Sequence, residues 1–156
     1  MSDATTPEQR LADLGMPVPE VVAPVAAYVP AVRTGSLVYT AGQVPKVGDG
    51  YLYTGKVGAG VTPEQGIECA KQCALNAIAA LKSEVGELSR VRRIVKVVVF
   101  VASDPSFTGQ PTIANGASEL LGDAFGDAGR HARSAVGVAV LPLDVPVEVE
   151  LIAEVA

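Results

Sequence analysis

Tryptophan is absent from the 156 residues, aromatics make up only 4%, and there are one histidine, His131, and two cysteines, Cys69 and Cys73. So few aromatics leave the core to Val, Ala, Leu and Ile, and leave no basic-aromatic stripe on which nucleic-acid bases could stack. One histidine excludes a histidine pair. The cysteines, four apart, have no second pair and no neighbouring histidine to complete a metal set. On a helix they would share one face, and they read as small core residues rather than as ligands or a disulfide. No apolar run approaches the roughly 18 residues that span a bilayer. The first ten residues, MSDATTPEQR, contain no apolar signal core, which points to a cytoplasmic protein. Positive charge is also short. Twelve Lys and Arg against 17 Asp and Glu give a net charge of −5, which argues against a nucleic-acid partner gripped through its phosphates.

What is present is a chain of 49% hydrophobic and 19% charged residues, enough for one domain with a sizeable core. Thr6-Pro7-Glu8-Gln9 has the form of an N-cap, a proline at the first helical position and a capping-box glutamine. A short helix with Leu11 and Leu14 follows, ending at Gly15. Met16 to Pro24, with three prolines, reads as an extended linker. Residues 1–22 are thus expected to be an N-terminal extension, and 23–156 the main domain. Val25 to Thr34 and Leu37 to Ala41 read as a hairpin around Thr34-Gly35-Ser36, followed by a glycine-rich surface loop from Lys46 to Gly60. Thr62-Pro63-Glu64-Gln65 repeats the capping signature. It opens the clearest helix, with Ile67, Ala70, Ala74, Ile78, Leu81 and Val85 at steps of three and four and Gly86 as its cap. Ile94 to Ala102 is apolar at nearly every position, as expected of a central strand covered on both faces. The cluster Arg90, Arg92, Arg93 and Lys96 reads as a solvated connector. A second helix is expected from about Thr112 to Phe125, carrying Asn115.

The stretch from His131 to Glu150 reads as two strands, Ala132 to Val140 and Val147 to Val155, joined by a tight turn at Leu141-Pro142-Leu143-Asp144. The second alternates Val147, Val149, Leu151 and Ala153 with Glu148, Glu150, Ile152 and Glu154. Arg133 stands alone as a charge in the first strand, and burying it requires a partner or a ligand. Glu148 and Glu150 are the expected partners. Taken in order, the elements give an α+β domain, a mixed sheet with both long helices on one face. The other face, rich in Val and Ala, would be bare in a monomer, so an oligomer is expected.

Several of these residues carry a resemblance as well. Tyr28, the block T-A-G-Q-V-P at 40–45, Asn76, K-V-V-V-F-V at 96–101, Asn115, H-A-R-S-A-V at 131–136, V-L-P at 140–142 and V-E-V-E at 147–150 occur in the order of the reactive intermediate deaminase family. That family is also called RidA, YjgF-like, or endoribonuclease L-PSP, and the chain resembles a longer subgroup of it with an N-terminal extension. The resemblance implies a chorismate-mutase-like fold and a homotrimer with ligand pockets between subunits. It implies that Arg133 grips a substrate carboxylate, that Tyr28, Gly42, Asn115 and Glu148 line the pocket, and that Glu148 helps position the attacking water. The implied reaction is hydrolysis of 2-imino or 2-enamino acids to 2-keto acids and ammonia, without cofactor or metal. Ala135 stands where cysteine is common, His131 where proline is usual, and Ser118 where an aromatic is common. The other readings are a trimer that binds small carboxylates without turnover, and an endoribonuclease or translation inhibitor. Arg133 and Glu148 would otherwise form a mere interface ion pair.

Overall fold

The structure, a computed structural model, describes residues 5–24 and 26–156. Both capping signatures form. Thr6 and Thr62 each accept from the backbone of the glutamine three residues on, whose side chain returns the bond, and these boxes open α1 (Pro7–Asp13) and α2 (Pro63–Val85). Gly86, at φ +80°, closes α2 in a backbone conformation that side chains disfavour. The third helix, α3 (Gln110–Phe125), starts two residues before the sequence expectation. Pro111 lies in its first turn, where a missing N–H costs nothing.

The main sheet is built from β1 (Ala31–Thr34), β2 (Leu37–Thr40), β7 (Val91–Ala102), β8 (Ala132–Val138) and β9 (Val147–Val155), in the order β1-β2-β9-β7-β8. The β1–β2 hairpin forms as expected, but β1 is shorter than the sequence suggests. Ala26 to Pro30 is irregular, with Tyr28 N–H turned back to the Ala26 carbonyl at 2.9 Å, and Val25 lies outside the described residues. The segment from Lys46 to Gly60 carries two small ladders, β3 (Lys46–Val47) with β4 (Gly50–Tyr51) and β5 (Lys56–Val57) with β6 (Gly60–Val61). It is held by buried Asn76 of α2, which donates to the carbonyls of Val44 (2.9 Å) and Lys46 (3.1 Å).

The largest departure concerns the last two strands. They do not form a hairpin. β8 pairs in parallel with β7, and β9 pairs antiparallel with the other edge of β7, so β7 lies between them. The turn at Pro142–Asp144 belongs to a connection that passes the end of β7. Alternation along a strand fixes which residues share a face; it says nothing of which strand is the neighbour, and sequential strands sit side by side only about two-thirds of the time.

Helices α2 and α3 pack together and cover one face of the sheet, with Val97, Val99, Val101, Val147, Val149, Leu151 and Ala153 beneath them. β7 is therefore covered on one face only within the chain. The opposite face carries Val32 (53% exposed), Tyr39 (44%) and Val136 (44%) together with half-buried Val98, Phe100 and Ile152. Cys69 and Cys73, on α2, are buried as free thiols. Burial pushes the Cys69 thiol up to about 11 and Cys73 well above its ordinary value, and Cys73 donates to the Val147 carbonyl at 3.4 Å.

The N-terminal helix is tied to this core at three points. Leu11 is fully buried in the main cluster, Arg10 Nη1 donates to the Ala124 carbonyl at the end of α3 (3.3 Å), and Glu8 Oε1 accepts from Leu88 N–H (2.8 Å). Leu11→Ala is expected to cost about 2–5 kcal/mol through lost burial and the cavity left behind. Thermal or denaturant unfolding measures it; a loss below about 1 kcal/mol would show that α1 is peripheral.

Candidate functional site

Each residue singled out from the sequence can be placed, and they fall into two groups. Arg133 lies on β8 opposite Val97, which in turn faces Leu151 of β9, so its side chain points to the helix-covered face. There it meets α3. Its Nη1 donates to Asn115 Oδ1 at 2.8 Å and to Ser118 Oγ at 3.1 Å, and its Nη2 approaches the Pro111 carbonyl at 3.4 Å. Asn115 and Ser118, three apart on one helix face, are placed together by helical geometry alone. His131 precedes β8 and joins them, with Nε2 2.9 Å from Ser118 Oγ and Nδ1 2.7 Å from the Gly129 carbonyl. Ser118, His131 and Arg133 line an open pocket together with Gly122, Gly129 and Arg130.

Glu148 lies on β9 opposite Phe100, on the other face of the sheet. It lines a cavity of about 180 Å³ with Tyr28, Gly42, Gln43, Lys46 and Leu143. The close approach of Gly42 shapes the site, since a Cβ at this position would run into the Glu148 carboxylate and displace it. The Gln43 and Val149 backbones exchange hydrogen bonds of 2.8 and 2.9 Å, which locks the Gly42 segment against β9. Leu143 at φ +61° and Asp144 at φ +56° hold left-handed conformations at the rim. Asp144 is braced by Lys56 Nζ at 3.2 Å.

The expected pairing of Arg133 with Glu148 or Glu150 is thus not made. Two strand spacings, roughly 10 Å, separate β8 from β9, and Arg133 and Glu148 face opposite sides of the sheet. Arg133 is satisfied by neutral acceptors and keeps its charge uncancelled; among the described residues the ion pairs are Lys56–Asp144 and Lys82–Glu8. Glu148 likewise makes no ion pair among the described residues, although Lys46 lines the same cavity. Burial first, and the neighbouring Glu150 charge second, hold its carboxyl above the usual range. Sequence reasoning missed how Ser118 engages the arginine, although its three-residue spacing from Asn115 was the available signal. Among the described residues no cluster of three or more His, Cys, Asp or Glu gathers to hold a metal ion, and no helix is long and apolar enough to cross a membrane.

The sign of the Glu148 shift sets a test. A carboxyl whose pKa is raised by folding stabilises the fold while protonated, and this contribution is lost as pH rises through the raised value. Glu148→Gln removes that loss. The melting temperature of the variant is expected to gain on that of the wild type as pH is raised from below the ordinary carboxylate range to neutrality. A difference that stays constant with pH would contradict the assignment.

Arg133 offers a planar guanidinium edge to a carboxylate, and Glu148 offers a carboxyl that holds its proton to higher pH than an exposed one. Within one chain the two groups lie on opposite faces of the sheet. Comparison with known proteins places the chain in one family. Protein TCP17 of Trypanosoma cruzi is 44% identical over 146 residues, covering 93% of this chain and 91% of that protein. The crystal structure of Atu1372 from Agrobacterium tumefaciens, a protein of unknown function, superposes with a TM-score of 0.91 at 40% identity, over 96% of this chain and 92% of that one. TdcF of E. coli, crystallised with bound serine, superposes with a TM-score of 0.62 at 28% identity, over 88% and 94% of the two chains. Residues 8–155 match the family described as "YjgF/chorismate mutase-like, putative endoribonuclease". The chain belongs to this YjgF-like family and has its chorismate-mutase-like α+β fold.

Proposed function

We propose that this protein hydrolyses small 2-imino and 2-enamino acids, such as 2-aminoacrylate, to 2-keto acids and ammonia, at sites completed between copies of the chain in a homotrimer. The observation that carries the reading is the separation of Arg133 and Glu148. Among the described residues Arg133 has no carboxylate partner and Glu148 no cation, the two lie on opposite faces of the sheet, and the face bearing Glu148 leaves Val32, Tyr39 and Val136 exposed. Covering that face with further copies buries Val98, Phe100, Val136 and Ile152 and can bring the Arg133 half-site of one copy to the Glu148 half-site of the next.

In such a site Arg133 holds the substrate carboxylate. This fixes the adjacent C=N carbon, and much of the acceleration comes from orientation. Glu148 positions a water for attack on that carbon and handles the proton, while Tyr28, Gly42 and Asn115 complete the wall. An enamine such as 2-aminoacrylate first takes a proton at its methylene carbon to become the imine. The carbon–oxygen bond then forms as the C=N π pair moves to nitrogen, and the proton lost by the water is passed to that nitrogen. Collapse of the carbinolamine then expels ammonia. An imine is already electrophilic, so no cofactor is required. A trimer that holds a small carboxylate without turnover is the second reading, favoured by the serine bound to TdcF. The net charge of −5 works against ribonuclease action.

The test is to generate imino acids in situ with an amino-acid oxidase or a serine dehydratase in the presence of semicarbazide. Active protein diverts imine to keto acid and lowers the trapped product. Unchanged trapping across a panel of side chains, with binding retained, would leave the carboxylate-binding trimer.

A further inference from the structure

Ser118 and His131 each depart from the pattern of the family the chain resembles, and the structure joins them. Gly129 is where the arrangement begins. A Cβ there would strike the Leu121 carbonyl of α3, so only glycine lets this loop lie against the helix. The Gly129 carbonyl then sits 2.7 Å from His131 Nδ1. A carbonyl only accepts, so Nδ1 carries the ring proton, and in the neutral ring Nε2 is an acceptor. Ser118 lies 2.9 Å from Nε2 and therefore gives its hydroxyl proton to the ring. With its proton committed, Oγ accepts from Arg133 Nη1 at 3.1 Å. The result is a head-to-tail chain from guanidinium to hydroxyl to imidazole to carbonyl, whose members polarise one another.

The other hydrogen of Nη1 goes to Asn115 Oδ1. Both hydrogens of that nitrogen are thereby occupied, and the plane of the guanidinium is set by two acceptors on α3. The edge formed by Nε and Nη2 remains for a ligand, with only the 3.4 Å approach of the Pro111 carbonyl on it. From this geometry we infer that Ser118 and His131 are a positioning pair for Arg133: Ser118 orients the guanidinium for a carboxylate, and His131 acts through Ser118 by fixing its hydroxyl. The inference rests on Arg133 being the carboxylate clamp.

The experiment is calorimetric binding of pyruvate to the intact assembly, for wild type, Ser118→Ala, His131→Ala and the double variant, with unfolding measured alongside. Ser118→Ala is expected to weaken binding about ten-fold, the scale of one net hydrogen bond. His131→Ala should weaken it by a similar factor. The double variant should be no worse than Ser118→Ala alone, because His131 works only through that hydroxyl. His131→Gln, which places an acceptor near the position of Nε2, should recover most of the affinity. Effects that multiply in the double variant, or a loss of melting temperature with pyruvate affinity unchanged, would overturn the inference and leave a structural hydrogen bond. If wild type binds neither pyruvate nor serine and does not divert imine, the clamp reading falls and the inference with it.

Discussion

Arg133→Ala should reduce keto-acid formation from 2-aminoacrylate by roughly 10³-fold or more in kcat/KM while the chain stays folded. Two charge-assisted bonds to a carboxylate contribute about 1.5–3 kcal/mol each. Beyond that binding, the clamp fixes the imine carbon, so truncation also loses orientation. Folding should tolerate the change, because Arg133 is only half-buried and its partners are a helix-surface Asn, a Ser and a carbonyl rather than a buried carboxylate. Lysine is expected not to rescue, since an ammonium lacks the planar fork. A loss of less than ten-fold, about 1.4 kcal/mol, would mean that the carboxylate is held elsewhere.

In the proposed trimer, Val98→Asp should break the assembly. Val98 lies in the middle of the bare face, paired with Glu150 on β9 and Ser134 on β8. A charge buried in the interface costs several kcal/mol; Glu148 and Glu150 on the same face add repulsion, which Lys96 beside Val98 offsets only in part. Sedimentation should fall from three copies to one, and activity at least about 100-fold with it. The helix content should hold, because the residues that pack on α2 and α3 point the other way. A Val98→Asp protein that still sediments as a trimer would place the interface on some other surface.

What could be read from the sequence was local. The two Thr-Pro-Glu-Gln boxes form as written because every bond in them lies within one turn. The α2 stripe is buried as its spacing requires, save for half-buried Ile67. The alternation of β9 is followed residue by residue, with Val147 to Val155 buried at every second position. Pairing was not legible, because β8 and β9 meet β7 through contacts with no local trace. That error misplaced the partner of Arg133: adjacency in sequence suggested Glu148, while α3 supplies Asn115 and Ser118. The apparent two-sided burial of β7 is informative in its own way. Val98 and Phe100 are apolar as in a covered strand, yet the chain alone leaves them half-bare, as a surface shaped for further copies would.

In the proposed trimer, one working site takes Arg133 from one copy and Glu148 from another. Arg133→Ala and Glu148→Gln proteins, each inactive alone, should be unfolded together in equal amounts, refolded, and assayed for keto-acid release. With random assembly about a quarter of the sites receive both intact residues, so activity should return to about a quarter of wild type. A mixture no more active than its two components would contradict the claim and place Arg133 and Glu148 in separate roles.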